Sequence, residues 1–355
     1  MDAKKLQNNF LHRESRFPCA EKRFELVKRN TAEIINEEEL KKLIKEKKNP
    51  VVYWGTTPTG KPHVGYFFPM LKIADFLKAG FKVKILLADL HAALDNTPWT
   101  LLDKRYDYYS KVIPLILRSL NVEVKNIEFV KGSDFQLKPE YMYDVLQLSS
   151  FVSVHDSMKA ASEVVKMGEN PKLSGLIYPI MQAMDEQYLG ADIQLGGTDQ
   201  RKIMVLAREN LPKISYDSRI EVMNPLIPGL TGKKMSSSIE KSKIDLLDDE
   251  ETVKSKIRDA ECIAGNPDNG ILAFTKYVIM TIKKDSKEKF IVKRDKKFGG
   301  NISFSDYEEL EKMFVKKQIH PLDLKNAVAD EINKMLKIFR DNRKMLQELA
   351  EKAYP

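Results

Sequence analysis

From Val51 to Ala88 the apolar positions run through two strands and the helix between them. Val51-Val52-Tyr53-Trp54 is a short apolar run that predicts a buried strand, and the breakers Gly55, Pro58, Gly60 and Pro62 follow at once. From Phe67 to Leu77 apolar residues are nearly continuous, as in a helix with little exposed face, until Lys78-Ala79-Gly80 stops it. Phe81 to Ala88 reads as the next strand. Strand, glycine turn, helix and strand make a βαβ unit. Its first turn sets backbone N–H groups beside a helix N-terminus, a seat for phosphate. The same residues also fit an ordinary βα turn with scattered glycines.

Around this unit the pattern predicts a helix over Glu21–Asn30 and a second one that Asn36 caps and acidic residues open. Residues 100–120 are helical, Ile127–Val130 is a short strand, and two helical segments lie between Pro139 and Met167. Pro179–Leu189 reads as a helix, Ala191–Leu195 as a strand, Arg201–Asn210 as a helix and Arg219–Met223 as a strand. Asp89-Leu90-His91 falls just past a strand, at the edge where doubly wound sheets bind ligands. Thr231–Ser238 is a polar loop. From Ile244 onward the chain reads as mainly helical, with Leu324, Val328, Ile332, Met335 and Phe339 on one buried face. A domain boundary is expected near residue 240.

The chain has 355 residues, 43% hydrophobic and 31% charged, as in a globular protein with room for two domains. Its net charge of +8 suits a polyanionic partner, and ordinary solvated charge explains it as well. Cys19 and Cys262 are the only cysteines and neither has metal-ligand spacing, so no metal site or disulfide framework is expected and a reducing compartment is. No apolar run approaches a membrane span, and the N-terminus lacks a signal-peptide core. A cytoplasmic protein without membrane contact is expected.

Three separated pieces need one explanation: HVGY (63–66) after the first strand, GGTDQRK (196–202) after a later one, and GKKMSSS (232–238) closing the α/β part. Each alone is weak. In this order they resemble the class I aminoacyl-tRNA synthetases, with HVGY in place of HIGH and KMSSS in place of KMSKS. Together with YWGTTPTGKPHVGYF, ADLHA, YPIMQAMDEQYL, KFGG and HPLDLKNAV they look like the tyrosyl-tRNA synthetases of the archaeal and eukaryotic cytosolic branch, over about residues 21 to 340.

The resemblance implies an α/β fold, a Rossmann-like doubly wound parallel sheet forming a catalytic domain, followed by an α-helical anticodon-binding domain. The expected division is an N-terminal extension at 1–20, the catalytic domain with an inserted helical segment at 21–240, and the anticodon-binding domain at 241–355. It also implies activation of L-tyrosine by ATP, with Mg²⁺ held largely by phosphates and water, and transfer to tRNA(Tyr) by a homodimer. No prosthetic group and no appended tRNA-binding module are expected.

Attack of a carboxylate on the α-phosphate needs positive charge for the leaving pyrophosphate and no covalent nucleophile. His63 at the helix N-terminus and Lys234 on the polar loop suit that task, with Tyr66 and Lys233 beside them. By resemblance, Gly60, Gly65, Asp199, Met235, Ser236 and Ser237 complete the ATP site. Tyr178, Gln182 and Asp185 lie at i, i+4 and i+7, one face if the helix includes all three, though Pro179 leaves the state of Tyr178 open. By resemblance Tyr53 and Asp185 hold the phenol hydroxyl, Tyr178, Gln182 and Gln200 the ammonium end, and Gly55 lets the substrate lie on backbone. A structural polar network is the alternative. Phe298 and Asp323 resemble anticodon-reading residues, although Asp323 could N-cap the last long helix. Arg201 and Lys202 resemble residues near the tRNA acceptor end and could equally be surface residues.

Some positions depart from the pattern. Tyr66 replaces the second histidine of HIGH, a serine replaces the second lysine of KMSKS, and Ala93 stands where the branch often has tyrosine, which would alter the pocket wall. A tryptophanyl-tRNA synthetase is the nearest rival, disfavoured by the Tyr53 and Asp185 pair. A catalytically silent RNA-binding derivative is the other, disfavoured by intact His63, Lys234, Asp199 and Gln200.

Overall fold

A computed structural model of the protein describes residues 18–165, 167–230 and 243–355. Its centre is a six-stranded sheet built from β1 (Glu33–Ile35), β2 (Val51–Thr56), β3 (Lys82–Leu87), β4 (Ile127–Lys131), β5 (Ile193–Gly197) and β6 (Ile220–Asn224). The order across the sheet is β1-β6-β5-β2-β3-β4. All neighbours are parallel except β1, which runs antiparallel to β6 with Ile34 opposite Val222. The order reverses between β2 and β5, and the crevice beyond the carboxyl ends of those strands is where such sheets hold ligands.

The first strands, the Phe67–Lys78 helix and the Arg201–Asn210 helix form where periodicity predicts them. Asn36 caps the Glu37–Glu46 helix by accepting from the Glu39 N–H at 3.3 Å. One expectation is corrected, and two further elements lie outside the expected pattern. The helix expected to begin at Pro179 runs from Leu173 to Tyr188 and contains the proline. Pro179 forfeits one ladder bond, to the carbonyl of Gly175, and burial of Tyr178 and Ile180 outweighs that loss. β1 was not foreseen, because three residues carry no measurable alternation. The second half also holds a hairpin, β7 (Phe290–Val292) with β8 (Ile302–Phe304), inside what reads as helical chain.

In that second half, helices at Glu250–Asp259, Tyr307–Val315, Pro321–Asp341 and Arg343–Ala353 accompany the hairpin, and Tyr307–Val315 and Pro321–Asp341 pack against it. The face marked by Leu324, Val328, Ile332, Met335 and Phe339 is buried. It joins the sheet's own core: Phe339 meets Phe67 edge-on at 6.4 Å, and Tyr277 lies 5.1 Å from Phe68. Arg29 adds a polar tie, bonding Asp75 at 2.9 Å and Asp285 at 2.7 Å. No helix among the described residues is long and apolar enough to cross a membrane.

Candidate active site

A cavity of about 410 Å³ opens at the carboxyl ends of β2 and β5, where the strand order reverses. Strand alternation decides what reaches it. Tyr53 and Gly55 share the face of β2 that meets the Leu173–Tyr188 helix, while Trp54 and Thr56 turn to the side where Tyr66 sits. Gly55 is exposed although it lies in a central strand. A Cβ there would meet only ordinary contacts, Tyr53 at 3.7 Å and Leu86 at 3.9 Å, so internal packing does not require the glycine. What the missing side chain leaves open is cavity floor.

Tyr178, Gln182 and Asp185 all belong to one helix and line the cavity together. Each of these three side chains makes at least one hydrogen bond, as burial favours. Tyr178 Oη pairs with Thr57 Oγ1 at 3.0 Å, and Gln182 Nε2 donates to Gln200 Oε1 at 3.1 Å. Asp185 Oδ1 accepts from Gln136 Nε2 at 2.7 Å and from Tyr141 Oη at 2.8 Å. Its other oxygen, Oδ2, has no hydrogen-bond partner among the described residues, and neither has Tyr53 Oη. Both residues are about 1% exposed. Burial pushes the Asp185 carboxyl up to about 7, and the bonds from Gln136 and Tyr141 pull it back only in part. Burial, aided by nearby carboxylates, keeps the Tyr53 hydroxyl protonated. The pair therefore offers one donor and one acceptor, which is what a hydroxyl needs.

Four supporting residues, Gln136, Tyr141, Glu186 and Glu221, escaped sequence reasoning. Gln136 and Tyr141 hold Asp185 across more than forty positions, and nothing in their local sequence marks them. His91, in the segment singled out at the sheet edge, stands with Nε2 3.7 Å from Asp185 Oδ2, and burial lowers its imidazole to about 4. Glu186, fully buried, and its neighbour Glu221 have carboxyls that burial raises and Arg219 and Arg208 partly restrain. Gly196 and Gly197 are tight: a Cβ would meet Met204 at 2.6 Å and Asp199 Oδ1 at 2.4 Å, so these glycines let Asp199 and Gln200 fold back on the strand end. Asp199 and Gln200 line the cavity.

At its other end the cavity takes in Thr59, His63, Gly65 and Tyr66. His63 caps the Val64–Tyr66 turn, accepting from the Gly65 N–H through Nδ1 at 3.1 Å. Burial, helped by Lys243, lowers its imidazole to about 4. His63 is thus neutral near pH 7, with its remaining proton on Nε2. The Tyr66 hydroxyl bonds Thr56 Oγ1 at 3.1 Å and Tyr109 Oη at 3.2 Å, and Gly60 presents its carbonyl to Tyr109 at 2.6 Å. Residues that follow the polar loop return here: His63 bridges Asp245, and the Val64 N–H donates to Ile244 O at 3.1 Å. Lys233, Lys234, Met235, Ser236 and Ser237 lie outside the described residues.

Other expected positions fall elsewhere. Neither Arg201 nor Lys202 lines the cavity: Arg201 pairs with Glu33 at 2.8 Å, and Lys202 pairs at 2.8 Å with Glu163, which is part of the cavity wall. Ala93 does not line the cavity; its short helix contributes His91. Asp323 is not an N-cap and its helix is not the last, since Arg343–Ala353 follows. Pro321 takes the first helical position, which moves the cap to His320, whose Nδ1 accepts from the Leu322 N–H at 3.2 Å. Phe298 is 62% exposed beside Gly299 and Gly300, whose φ values of 92° and 74° call for glycine. Arg294 bonds Gly300 O at 3.0 Å and Gln318 O at 3.0 Å, which holds the Phe298 turn near the segment that leads to Asp323.

The family model for tRNA synthetases class I (W and Y) matches residues 45–337, and the chain belongs to that family. Relatives at 40–52% identity lie on the tyrosine side. It is 52% identical over 340 residues to the cytoplasmic tyrosine–tRNA ligase of Danio rerio, covering 94% of this chain and 63% of that protein. It is 48% identical to the cytoplasmic tyrosine–tRNA ligase of Saccharomyces cerevisiae, covering 94% of this chain and 87% of that protein. Among solved structures it resembles the Archaeoglobus fulgidus tyrosyl-tRNA synthetase complexed with L-tyrosine, with 39% identity, a TM-score of 0.85, and coverage of 92% of this chain and 99% of that one. The chain thus spans somewhat less than two thirds of the Danio rerio relative's length.

Proposed function

We propose that the protein is a tyrosine–tRNA ligase, which activates L-tyrosine with ATP and then joins it to tRNA(Tyr) in the cytoplasm, as the names of its relatives suggest. The observation that carries this reading is the pair of buried, unpartnered polar atoms, Tyr53 Oη and Asp185 Oδ2, at one end of the cavity. A phenol hydroxyl accepts from the first and donates to the second. Tryptophan offers only an indole N–H donor and would strand the Tyr53 proton.

In this reading Gly55 and the end of β2 carry the amino acid, and Tyr178, Gln182 and Gln200 take its ammonium group. A carboxylate oxygen of tyrosine attacks the α-phosphorus as the bond to the bridging β-oxygen breaks and pyrophosphate leaves. His63 donates Nε2–H to a phosphate oxygen as a neutral group, and the helix N-terminus beyond Gly65 adds its dipole. Asp199 takes the ribose. Lys234, with Lys233 beside it, supplies charge to the leaving group. The return of residues 244–245 beside His63 supports that assignment, because the loop's downstream end is tied there. Mg²⁺ arrives with ATP, held by phosphates and water.

The tRNA is gripped by the second half, where Phe298 offers a ring for base stacking and Asp323 a carboxylate in the first turn of a helix. We assign residues 21–240 to catalysis and 241–355 to the anticodon, with Arg201 and Lys202 near the acceptor end. A homodimer is supported by exposed apolar side chains clustered on and beside the Pro139–Ser149 helix, including Leu137, Tyr143, Leu146, Phe151 and Val154. ATP–pyrophosphate exchange measured in parallel with tyrosine, tryptophan and phenylalanine tests the reading. Exchange that is fastest with tyrosine is expected, and none with tyrosine would overturn it.

A further inference from the structure

We propose that Arg105 is a positioning residue for the phosphate-side turn and that it sets this turn by clamping it to the end of the Arg343–Ala353 helix. The inference rests on the reading of the cavity as an ATP site. Within Thr57–Pro62 the only backbone bond is a tight one, Thr59 N–H to Thr57 O at 2.8 Å. The turn's outward carbonyls are held instead by the Leu102–Ser119 helix. Arg105 Nη1 donates to Thr59 O at 2.6 Å, and Tyr109 Oη, one helical turn on, donates to Gly60 O at 2.6 Å. The same guanidinium reaches Thr97 Oγ1 at 3.0 Å and, through Nε, Ala353 O at 3.2 Å. That last carbonyl closes a helix, where positive charge is favoured. The Arg105 guanidinium also lies 4.7 Å over the Tyr354 ring, which packs edge-on against Tyr108 at 5.9 Å.

Three stretches far apart in sequence therefore meet on one side chain. Arg105 does not line the cavity, but Thr59 does, and His63 follows four residues later. Arg105 acts through the turn. A planar fork with several donors makes these contacts at once, and a lysine ammonium cannot reproduce them. Displacement of reacting groups by about 1 Å costs up to roughly 100-fold in rate. Arg105→Ala should therefore lower kcat/KM for ATP in pyrophosphate exchange by roughly 10- to 100-fold. Tyrosine affinity, measured by equilibrium binding, should stay within about twofold, because its contacts come from β2 and the Leu173–Tyr188 helix.

The test compares Arg105→Ala, Arg105→Lys, Tyr354→Ala and Tyr354→Phe in the full chain. Both Arg105 variants and Tyr354→Ala should show the ATP defect. Tyr354→Phe should match wild type, since the stacked face is kept. Amide hydrogen exchange should quicken in peptides covering 57–66 and stay unchanged over β5. Should Arg105→Ala fail to fold, Tyr354→Ala carries the same comparison. Unchanged ATP kinetics and unchanged exchange at 57–66 would overturn the proposal. So would a loss of tyrosine binding equal to the loss in ATP kinetics, which marks general damage. A wild type without tyrosine-dependent activity would overturn the ATP reading instead, while faster amide exchange at 57–66 in Arg105→Ala would still uphold the clamp.

Discussion

Tyr53→Phe removes one oxygen from the cavity wall and should move stability and activity in opposite directions. The Tyr53 hydroxyl is buried and has no partner among the described residues, so the substrate-free protein bears the cost of an unmade hydrogen bond. That cost is about 1–3 kcal/mol for a neutral group. Phenylalanine at 53 fills the same space without it, and the melting temperature should be no lower than in wild type. With tyrosine bound the balance reverses, because the phenol oxygen loses its donor. A loss of about 1–3 kcal/mol in the transition state is roughly 5- to 150-fold in kcat/KM for tyrosine. Phenylalanine as substrate never made that bond, so its kcat/KM should hold or rise, and the preference for tyrosine should shrink by a comparable factor. Pyrophosphate exchange with both amino acids, alongside thermal denaturation, reads all of this. Unchanged tyrosine activation together with a fall in stability would refute the reasoning, since the hydroxyl would then be serving the fold.

The Asp185 carboxyl, held up to about 7, should make tyrosine binding pH-dependent: the phenol donates to the ionised form, so affinity should fall about tenfold from pH 8 to pH 6. Asp185→Asn should flatten that slope, and any slope that survives belongs to neighbouring Glu186, while His91 and His63, lowered to about 4, stay neutral throughout. For stability the sign is opposite: the raised carboxyl favours the folded protein at low pH, and that contribution is lost as pH rises through about 7. Lys234→Ala should slow adenylate formation by roughly 10- to 1000-fold with tyrosine affinity nearly unchanged, and an unaltered exchange rate would remove Lys234 from the mechanism. Phe298→Ala should lower aminoacylation by roughly 5- to 150-fold, the value of about 1–3 kcal/mol for one stacked base, with tRNA-free exchange normal. Asp323→Asn should lose discrimination among anticodon variants with little change in melting temperature, since His320 supplies the helix cap.

Much of the site was legible because its residues obey local rules. Tyr178, Gln182 and Asp185 follow helical spacing, and breakers placed the phosphate-side turn at a strand end, while Tyr53 and Gly55 came from family resemblance alone. What stayed hidden depends on folding in three dimensions. Gln136 and Tyr141 grip Asp185 from another segment, and no local pattern distinguishes them from other polar and aromatic residues. β1 and the Phe290–Phe304 hairpin are too short for a period to show. The proline rule misplaced the start of one helix, because it weighs a lost backbone bond without the burial that repays it. Likewise the neutrality of His63 follows from its being 7% exposed beside Lys243, neither of which spacing reveals.

The shared core also says how the molecule should come apart. Phe67 and Phe68 pack on Phe339 and Tyr277, and Arg29 ties Asp75 to Asp285, so the proposed division of labour between the halves does not make them independent bodies. A fragment cut near residue 240 would lay those aromatic rings bare and take Asp285 away from Arg29 and Lys78. Melting of the intact chain should accordingly be a single cooperative transition in which neither half survives the other, and a lesion at either end of the sequence would be felt at both.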